Sequence, residues 1–324
     1  MEKEIFNYID IKNDNNGYSG IIEDVYSIMR NELISSYPLI DRMIEHILAR
    51  HGKGVRPLFM AFIGKLVGGE WEKIKKAAVI IETIHLASLL HDDVVDRSEF
   101  RRGVPTLNAR HSDKVSVLFG DYILISAIIN AKKIENIEAG EIINNAVKKM
   151  VEGEIHDTIT NGIIDENRYL EIINAKTASL FAASGELGAV LSGVNGNRRI
   201  WAGELGECLG MAFQIIDDTL DYNGNINTMG KPANMDLMSG NMTLPLIYSL
   251  RGMSKNEIEE IFSQKDGRVA KLSDIVKNNG GVDYSRKKAQ EYINKGRALV
   301  SRFGNPDMIS VFDNFFGLLI NRHF

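Results

Sequence analysis

Apolar residues recur at intervals of three and four along most of the chain. The pattern is clear between residues 81 and 90 and again between 118 and 129. Such spacing places the apolar side chains on one face of an α-helix. Turn signals such as Gly68-Gly69, Gly193 to Asn197 and Gly280-Gly281 separate segments of about 15 to 30 residues, and hairpin signals with alternating strands are missing. The sequence therefore predicts an all-α protein.

A single all-α domain is the simplest organisation of these helices. Residues 1–18 contain the polar run Asn13 to Gly17 and predict a weakly ordered start before a first helix near Ile21. We see no linker, internal repeat or low-complexity tract after that start. Residues 19–324 are therefore expected to form one domain.

Two acidic clusters of identical spacing lie 125 residues apart, D-D-V-V-D at 92–96 and D-D-T-L-D at 217–221. Each follows an apolar stretch that is predicted to be helical. Residues i and i+4 share a helix face, so the first and last carboxylates of each cluster repel one another. Mg²⁺ suits such oxygen ligands, because one or two carboxylates hold it while substrate phosphates and water complete its shell. The alternative is a solvated acidic helix face, but the apolar surroundings favour a metal site that binds a phosphate ester.

Composition restricts the possible functions further. The chain has 44% apolar residues, enough for a sizeable core, while a net charge of -5 and a pI near 5.9 argue against a nucleic-acid partner. The single Cys208 excludes an intrachain disulfide, makes a thiolate zinc site implausible and favours a reducing, cytoplasmic location. The start Met1 to Glu4 has no apolar signal region, and no run of eighteen uncharged apolar residues follows. We expect a soluble protein.

Basic residues that could bind a diphosphate lie at predicted loops and helix ends. They are Lys53 with Arg56, Arg101 with Arg102, Lys176 with Thr177, and Lys231. The first pair stands in a glycine-containing loop before Pro57, where backbone N–H groups are also available to phosphate. The second follows the first acidic cluster, and the third interrupts an apolar run in which an unpaired Lys would be costly to bury. His85 and Gln214 precede the two clusters on the same helices, and each is either a core residue or a ligand contact. Solvated surface charge is the alternative for the basic residues.

Together these residues resemble the polyprenyl synthetase family, the trans-isoprenyl diphosphate synthases, from about residue 20 to the end. The resemblance is carried, in order, by G-K-G-V-R-P at 52–57, H-L-A-S-L-L-H-D-D-V-V-D at 85–96, R-R-G at 101–103, F-G-D-Y at 119–122, K-T-A-S-L at 176–180, F-Q-I-I-D-D-T-L-D-Y at 213–222 and G-K-P-A-N-M-D-L at 230–237. It implies an all-α isoprenoid synthase fold, in which long helices surround a deep central cavity and the two aspartate clusters face each other across its mouth.

The resemblance also implies a role for each candidate residue. The ligands of three Mg²⁺ ions would be Asp92, Asp96 and Asp217, supported by Asp93, Asp218 and Asp221. The allylic diphosphate would contact Arg101, Lys176, Thr177, Gln214 and Lys231. Isopentenyl diphosphate would contact Gly52, Lys53, Arg56, His85 and Arg102. Two positions depart from the family pattern: Gly54 replaces a frequently basic residue, and Asn241 stands where many members carry Lys, which leaves a diphosphate contact there unassigned. The G-N form at 240–241 resembles bacterial synthases that make menaquinone side chains.

The implied reaction joins isopentenyl diphosphate to an allylic diphosphate such as farnesyl diphosphate. Mg²⁺ and the basic side chains stabilise the departing diphosphate, the allylic C–O bond ionises, and the double bond of isopentenyl diphosphate attacks the carbocation. Loss of a proton then gives a trans chain five carbons longer. Short-chain relatives carry bulky aromatics at the positions of Ala87 and Ser88. Their small size here, with Ile84 as the next obstacle, implies a product of about six to eight isoprene units, or about 30 to 40 carbons, for quinone side chains.

A homodimer is implied as well, or a heterodimer with a noncatalytic subunit, and a product delivered to a membrane. Three other functions remain open. A terpene cyclase would share the fold, yet it has no use for Lys53, Arg56 and Arg102. A metal phosphohydrolase centred on His91-Asp92 would leave the second cluster idle. A noncatalytic subunit of a heteromeric synthase is disfavoured because both clusters are intact.

Overall fold

A computed structural model describes residues 17–49, 51–160, 162–223, 234–264 and 266–320. The all-α prediction is confirmed there. The first helix among the described residues begins at Gly17 rather than near Ile21, because apolar periodicity detects only the part of a helix that carries apolar residues. The expectation of weak order for residues 1–16 and the role predicted for Lys231 lie outside the described residues.

Sixteen α-helices occur in this part of the chain. In order they are α1 Gly17–Glu32, α2 Pro38–Leu48, α3 Val55–Val67, α4 Trp71–Val95, α5 Leu107–Arg110, α6 Asp113–Ala131, α7 Ile137–Ile159, α8 Glu166–Ile173, α9 Ser179–Val190, α10 Asn197–Asn223, α11 Met235–Ser239, α12 Leu244–Ser249, α13 Lys255–Ser263, α14 Arg268–Asn278, α15 Gly281–Arg302 and α16 Asp307–Ile320. A 3₁₀ turn, Lys132–Ile134, follows α6, and a π-helical turn, Asn174–Ala178, joins α8 to α9. The strands β1, Phe100–Arg101, and β2, Val104–Pro105, pair antiparallel between α4 and α5.

The helices fall into two compact units, each built from several segments. Unit 1 comprises Met1–Lys148, Leu180–Gly206 and Leu299–Asn314. Unit 2 comprises Lys149–Ser179, Glu207–Ala298 and Phe315–Phe324. The first acidic cluster belongs to unit 1 and the second to unit 2. The single domain expected from residue 19 to 324 stays a prediction.

Unit 1 has its core around α4, which packs against α3 and α6. Ile80, Ile81 and Ile84 of α4 are fully buried, as are Phe59 and Phe62 of α3. Burying one such side chain contributes about 1.5 to 3 kcal/mol. A helix with apolar residues around most of its circumference is an interior helix. The acidic cluster therefore stands at the end of a well-anchored helix.

Helices α9 and α10 pack unusually closely within residues 180–206 of unit 1. A Cβ at Gly185 would collide with the carbonyl oxygen of Ala202, and one at Gly206 with the carbonyl oxygen of Phe181. Since both obstacles are backbone atoms, neither helix could accommodate a side chain without moving. The glycines thus fix the distance between the two helices.

Unit 2 has its own core beyond the second acidic cluster. Tyr222 packs there with apolar residues of α11 to α14, among them Leu237, Leu246, Ile258 and Leu272. A capping box at Ser254 and Glu257 begins α13. This cluster anchors the C-terminal end of α10, where the aspartates lie.

One stretch in the described residues, Asp113–Ile134, is long and apolar enough to cross a membrane by length and composition. Only a third of its most apolar window is buried, and core helices of soluble proteins also pass this test. Along α6 the side chains of Leu118, Ile125 and Ile129 are more than half exposed. They are spaced by seven and four residues, so they form one stripe. We call these three residues the α6 stripe.

Candidate active site

The first acidic cluster lies at the C-terminal end of α4, as predicted. Asp92 is half-buried and Asp96, the C-cap residue, is exposed. Asp93 turns inward, is only 3% exposed and accepts a hydrogen bond at 2.7 Å from Nε of Arg101. Successive residues of a helix lie about 100° apart, so Asp92 and Asp96 share a face that excludes Asp93. Asp93 thus lies beside the basic candidate Arg101, and its supporting role in metal binding stays a prediction.

Arg101 and Arg102 lie in the small β1–β2 hairpin, which the sequence analysis missed. Its two-residue turn is formed by Arg102 at φ 52° and Gly103 at φ 74°, and left-handed values at both positions are those of a type I′ turn. Strands of two residues are too short to show alternation, so periodicity could not reveal them. Asn108 donates hydrogen bonds to the carbonyl oxygens of Asp93 and Ser98. These bonds join α5 to the end of α4, and the Arg101–Asp93 contact holds the hairpin there.

Gly52 and Arg102, both predicted for isopentenyl diphosphate, are close together in unit 1. A Cβ on Gly52 would lie 2.6 Å from a guanidinium nitrogen of Arg102, so any side chain there would force the guanidinium to move away. The backbone N–H of Gly52 donates to Tyr26 Oη at 3.2 Å. The neighbouring Lys53 is exposed. Gly54 has φ +56° and is the N-cap of α3, and a side chain there would also meet Ile22. This backbone conformation accounts for a glycine at the position that is basic in other members.

Arg56 is buried at the start of α3, and its guanidinium lies 4.5 Å from the ring centre of Phe181, a cation–π distance. Burial lowers the pKa of Arg56 to about 10, although the charge of Glu82 opposes that shift. Glu82 is also buried and accepts a 2.6 Å hydrogen bond from the hydroxyl of Tyr26. Nε of Arg56 and Oε2 of Glu82 have no hydrogen-bond partner among the described residues. Arg56 therefore keeps unused donor capacity at a buried position.

His85 lies one turn after Glu82 on α4. Burial, followed by the positive charges of Arg56, Arg102 and Arg101, lowers the pKa of His85 well below its usual value. These four residues were all predicted to contact diphosphates, and the electrostatic effect shows that unit 1 brings them near one another. An anion bound near the three arginines would relieve the repulsion between their charges.

The second acidic cluster lies near the C-terminal end of α10. Asp217 is exposed, Asp218 is buried and Asp221 is half-buried. The two carboxylate oxygens of Asp221 accept hydrogen bonds from the backbone N–H groups of Met235 and Asp236, each at 3.0 Å. Asp221 thus caps α11, which was not foreseen, and its supporting role in metal binding stays a prediction. Asn241 donates to Oδ1 of Asp236 at 3.2 Å. Asn241, which stands where many family members carry Lys, thus has a hydrogen-bond partner within the protein.

Gln214 and Thr177, both predicted to contact the allylic diphosphate, are hydrogen-bonded to each other in unit 2. The Thr177 hydroxyl donates to Oε1 of Gln214 at 2.8 Å, and Nε2 of Gln214 donates to Oδ1 of Asp218 at 2.7 Å. Tyr169 of α8 donates to the other oxygen, Oδ2, at 2.6 Å. Burial and the charge of Asp236 raise the pKa of Asp218, and the two hydrogen bonds partly offset that rise. Asp218 is therefore held by neutral donors on both sides.

Lys176 lies in the π-helical turn, a feature that is frequent at functional sites. Its Nζ lies 2.8 Å from Glu154 and 2.9 Å from Asp157, both on α7. Burial alone would lower the pKa of Lys176, but these two carboxylates raise it above its usual value. The turn lies so close to α7 that a Cβ at Gly153 would be 2.5 Å from the backbone nitrogen of Lys176. The predicted cost of placing Lys176 in an apolar run is thus offset by two ion pairs, with Glu154 and Asp157, which the sequence did not predict.

The residues assigned to chain length lie on α4 before Asp92. Ile84 and Ala87 are buried, whereas Ser88 is half-buried and donates to the carbonyl oxygen of His85. The helix rises about 1.5 Å per residue, so Ala87 precedes Asp92 by about 7.5 Å. Their assigned role stays a prediction.

Metal binding by protein groups alone is not supported among the described residues, since no set of three or more His, Cys, Asp or Glu side chains is grouped to hold an ion. The donor set still fits Mg²⁺. Asp92 with Asp96 offers two carboxylates on one helix face, and Mg²⁺ usually takes one or two carboxylates plus substrate phosphate and water. The number of ions and the ligand roles of Asp92, Asp96 and Asp217 stay predictions.

Five residues that support the candidates were missed by the sequence analysis: Tyr26, Glu82, Glu154, Asp157 and Tyr169. Glu82 had a usable signal, because it is a charged residue inside an apolar helix and precedes His85 by three positions. Tyr26 and Tyr169 had none, since their contacts join segments that are distant in the chain.

The sequence model of the family described as "Polyprenyl synthetase" matches residues 37–278 of this chain, about three quarters of its length. The chain belongs to the polyprenyl synthetase family. It is 33% identical over 285 residues to heptaprenyl diphosphate synthase component 2 of Bacillus subtilis, covering 86% of this chain and 82% of that protein. It is 32% identical over 281 residues to octaprenyl diphosphate synthase of Escherichia coli, covering 85% and 87%.

A solved relative has the same fold. The crystal structure of a polyprenyl synthase from Caulobacter crescentus, complexed with calcium and isoprenyl diphosphate, superposes with a TM-score of 0.87 at 31% identity and covers 94% of this chain and 96% of that one. The fold is accordingly the all-α isoprenoid synthase fold. The chain is an enzyme, a prenyltransferase of the polyprenyl diphosphate synthase type.

Proposed function

We propose that this enzyme extends an allylic diphosphate such as farnesyl diphosphate with isopentenyl diphosphate, in the presence of Mg²⁺, to an all-trans product of about six to eight isoprene units. The observation that carries the proposal is that each unit holds one acidic cluster together with its own set of candidate side chains for a diphosphate, which are mainly basic in unit 1 and consist of Lys176 with Thr177 and Gln214 in unit 2. Two separate sets suit two diphosphate substrates.

The basic group of unit 1 is suited to isopentenyl diphosphate. Gly52 allows the Arg102 guanidinium to approach the backbone, and Arg56 keeps a buried donor without a partner in the described structure. Buried donors of this kind gain most from a charged acceptor, because the surroundings screen the interaction weakly. A terpene cyclase has one diphosphate to bind and no need for this group.

The candidate residues of unit 2 are suited to the allylic diphosphate. Thr177 and Gln214 are hydrogen-bonded to each other beside Asp218, Lys176 directly precedes Thr177, and Arg101 of unit 1 is predicted to serve the same substrate. These side chains hold and orient the leaving diphosphate, so that the charge that develops on it meets fixed donors. Mg²⁺, when bound, supplies further positive charge for the same oxygens.

A phosphohydrolase centred on His91 and Asp92 has no support in the arrangement of side chains. Nε2 of His91 lies 3.3 Å from both Asp121 and the carbonyl oxygen of Val117 on α6. The histidine thus contacts α6 instead of joining a ligand group with Asp92. No second function is proposed.

A homodimer formed through the α6 stripe is the proposed assembly. Contiguous exposed apolar residues on a soluble protein mark interaction surfaces, and a helix face of this kind can pair with its own copy around a two-fold axis. The Bacillus subtilis relative carries the name "component 2", which keeps a heteromeric pair with a noncatalytic subunit as the competing assembly. We further propose that the enzyme is cytoplasmic and passes its product to a membrane.

Product analysis tests the proposal directly. The purified protein is incubated with isopentenyl and farnesyl diphosphates, with and without Mg²⁺, and the products are dephosphorylated and sized by chromatography. We expect Mg²⁺-dependent chains longer than geranylgeranyl. Cyclic hydrocarbons, or phosphate release from a simple phosphomonoester instead, would contradict the proposal. A folded chain that is inactive alone would favour the heteromeric assembly.

A further inference from the structure

Tyr169 and Asp218 form a buried contact that the reaction scheme leaves without a purpose. Tyr169 is 4% exposed and Asp218 8% exposed, and their hydrogen bond of 2.6 Å joins α8 to α10. Burial, and then the charge of Asp218, raise the pKa of Tyr169 far above its usual value, so the hydroxyl keeps its proton and donates. An aspartate buried at this cost requires compensation from its partners.

The contact is one end of a directed chain of hydrogen bonds within unit 2. The Thr177 hydroxyl donates to Oε1 of Gln214, which turns the amide nitrogen of Gln214 toward Asp218. Gln214 occupies Oδ1 of Asp218 and Tyr169 occupies Oδ2. Because each oxygen of Asp218 accepts a hydrogen bond from the protein, the carboxylate is held in one orientation. These two bonds occupy the oxygens that could otherwise bind a metal or a substrate.

The chain of bonds ties two places on one segment to two successive turns of α10. Tyr169 lies in α8 and Thr177 in the π-helical turn that continues it. Gln214 and Asp218 are four residues apart, so they lie on the same face of α10. Two attachment points one turn apart fix the rotation of a helix about its axis, whereas one point would leave it adjustable.

Rotation of α10 decides where its other carboxylates point. Asp217 precedes Asp218 by one residue, about 100° around the helix. Lys176 precedes Thr177 in the same way on the π-helical turn. We propose that Tyr169 is a positioning residue that acts through Asp218: it sets the direction of Asp217 relative to Lys176 and Thr177 for binding of the metal-bound allylic diphosphate. The inference rests on the proposed function of that group of residues.

Tyr169→Phe is the variant that tests this role, because it removes the hydroxyl and keeps the ring. Tyr222→Phe is a matched control, since Tyr222 is also buried in unit 2 and its hydroxyl lies 2.7 Å from Thr243 Oγ1, outside the chain of bonds. Thermal unfolding is measured for both. Binding of inorganic diphosphate in the presence of Mg²⁺ is then measured by isothermal titration calorimetry, which does not depend on turnover.

We expect Tyr169→Phe to weaken diphosphate binding about threefold to tenfold, as the loss of one buried hydrogen bond would. The KM for farnesyl diphosphate should rise by a similar factor while the KM for isopentenyl diphosphate stays unchanged. Tyr222→Phe should lower the unfolding temperature to a similar extent and leave diphosphate binding as in the wild type. In an Asp218→Ala background, Tyr169→Phe should have no further effect on binding.

Several results would overturn the inference. One is that Tyr169→Phe binds diphosphate as tightly as the wild type. Another is that Tyr169→Phe and Tyr222→Phe weaken diphosphate binding equally. The third is that the losses of affinity from Tyr169→Phe and Asp218→Ala add up in the double variant. In all three cases the wild-type protein would still bind Mg²⁺ and diphosphate, so the proposed function would stand. If the wild type itself does not bind diphosphate with Mg²⁺, the proposed function and the inference both fall.

Discussion

Asp92 and Asp217 are each followed by an aspartate that is buried and hydrogen-bonded to the protein. Asp93 accepts a hydrogen bond from Arg101, and Asp218 accepts hydrogen bonds from Tyr169 and Gln214. Helical geometry therefore divides each D-D pair into an outward residue and an inward one. The outward residues, Asp92 and Asp217, are the ones predicted to bind the metal.

Asp92→Ala and Asp217→Ala should each lower turnover by a factor of about a hundred or more, because each removes a metal ligand and little packing. Both variants should stay folded, since deleting one carboxylate relieves repulsion with Asp96 or Asp221. Turnover at saturating Mg²⁺ and thermal unfolding are the measurements. Asp274→Ala, an exposed carboxylate on α14, is the control and should match the wild type. Near wild-type turnover in the first two variants would refute the assignment.

His85 should make stability depend on pH. Its pKa in the folded protein lies below its usual value, which is near 6.5. The unfolded chain therefore takes up a proton first, and the free energy of unfolding should fall as the pH drops below about 6.5, by at most about 1.4 kcal/mol per pH unit. Urea unfolding at pH 7.5, 6.5 and 5.5 measures this. His85→Gln should flatten the dependence and His111→Gln, at an exposed site, should not. Identical profiles for the wild type and His85→Gln would contradict the expectation.

Product length should respond to the small residues on α4. Ala87→Phe should shorten the product to about three or four isoprene units, because an aromatic ring about 7.5 Å along the helix from Asp92 would stop the growing chain. Since Ala87 is buried, overpacking should also cost about 1 to 3 kcal/mol of stability. Ser88→Phe, at a half-buried site, tests the same obstacle with less strain. Product length is measured by chromatography. Unshortened chains from both variants would exclude a role for Ala87 and Ser88 in limiting chain length.

At the level of secondary structure, the close packing of α7 against the π-helical turn should matter for the diphosphate site. Gly153→Ala places a Cβ 2.5 Å from the backbone nitrogen of Lys176, so the turn must shift and carry Lys176 and Thr177 with it. We expect lower stability and a higher KM for the allylic diphosphate.

Gly140→Ala is the control on the same helix, where a Cβ would meet nothing within 4 Å. Replacing a helical glycine there should raise stability by about 0.5 to 1 kcal/mol and leave the KM unchanged. Thermal unfolding and steady-state kinetics measure both variants. If the two substitutions behave alike, the packing argument is wrong.

The sequence predicted those elements whose signals are local. The helices α4 and α10 and the clusters at their ends followed from periodicity and from the spacing of the aspartates. The hairpin at Phe100–Pro105 did not, because its strands are shorter than one period of alternation. The π-helical turn was missed as well, since its effect is one extra residue in an otherwise helical pattern.

Candidate site residues followed the same rule. Lys176 could be singled out as a charge in an apolar run, but its partners Glu154 and Asp157 looked like ordinary charges on a surface helix. Glu82 lies in the same apolar helix as His85, so its charge could have marked it as a candidate in the same way, but it was overlooked. Tyr169 could be found only once α8 and α10 were placed side by side, because no local pattern specifies a contact across 49 residues.

For the whole molecule, the α6 stripe should control assembly. Leu118→Glu with Ile125→Glu places two charges on the stripe and should convert a dimer to a monomer, since buried unpaired charges are costly at an apolar interface. Mass measured by light scattering after size-exclusion chromatography tests this. Ile34→Glu, at an exposed apolar site outside the stripe, should leave the mass unchanged. A wild-type protein that is already monomeric would contradict the proposal.

The interleaving of the two units has a consequence for how the protein is made. Unit 1 is completed only by residues 299–314, where Phe312 is fully buried with its ring centre 6.3 Å from that of Phe62. Synthesis runs from the N-terminus and domains generally fold as units, so unit 1 can complete its core only after residues 299–314 have been synthesised. A nascent chain stopped after residue 298 has every acidic and basic residue of the candidate site in place and still lacks the last segment of unit 1.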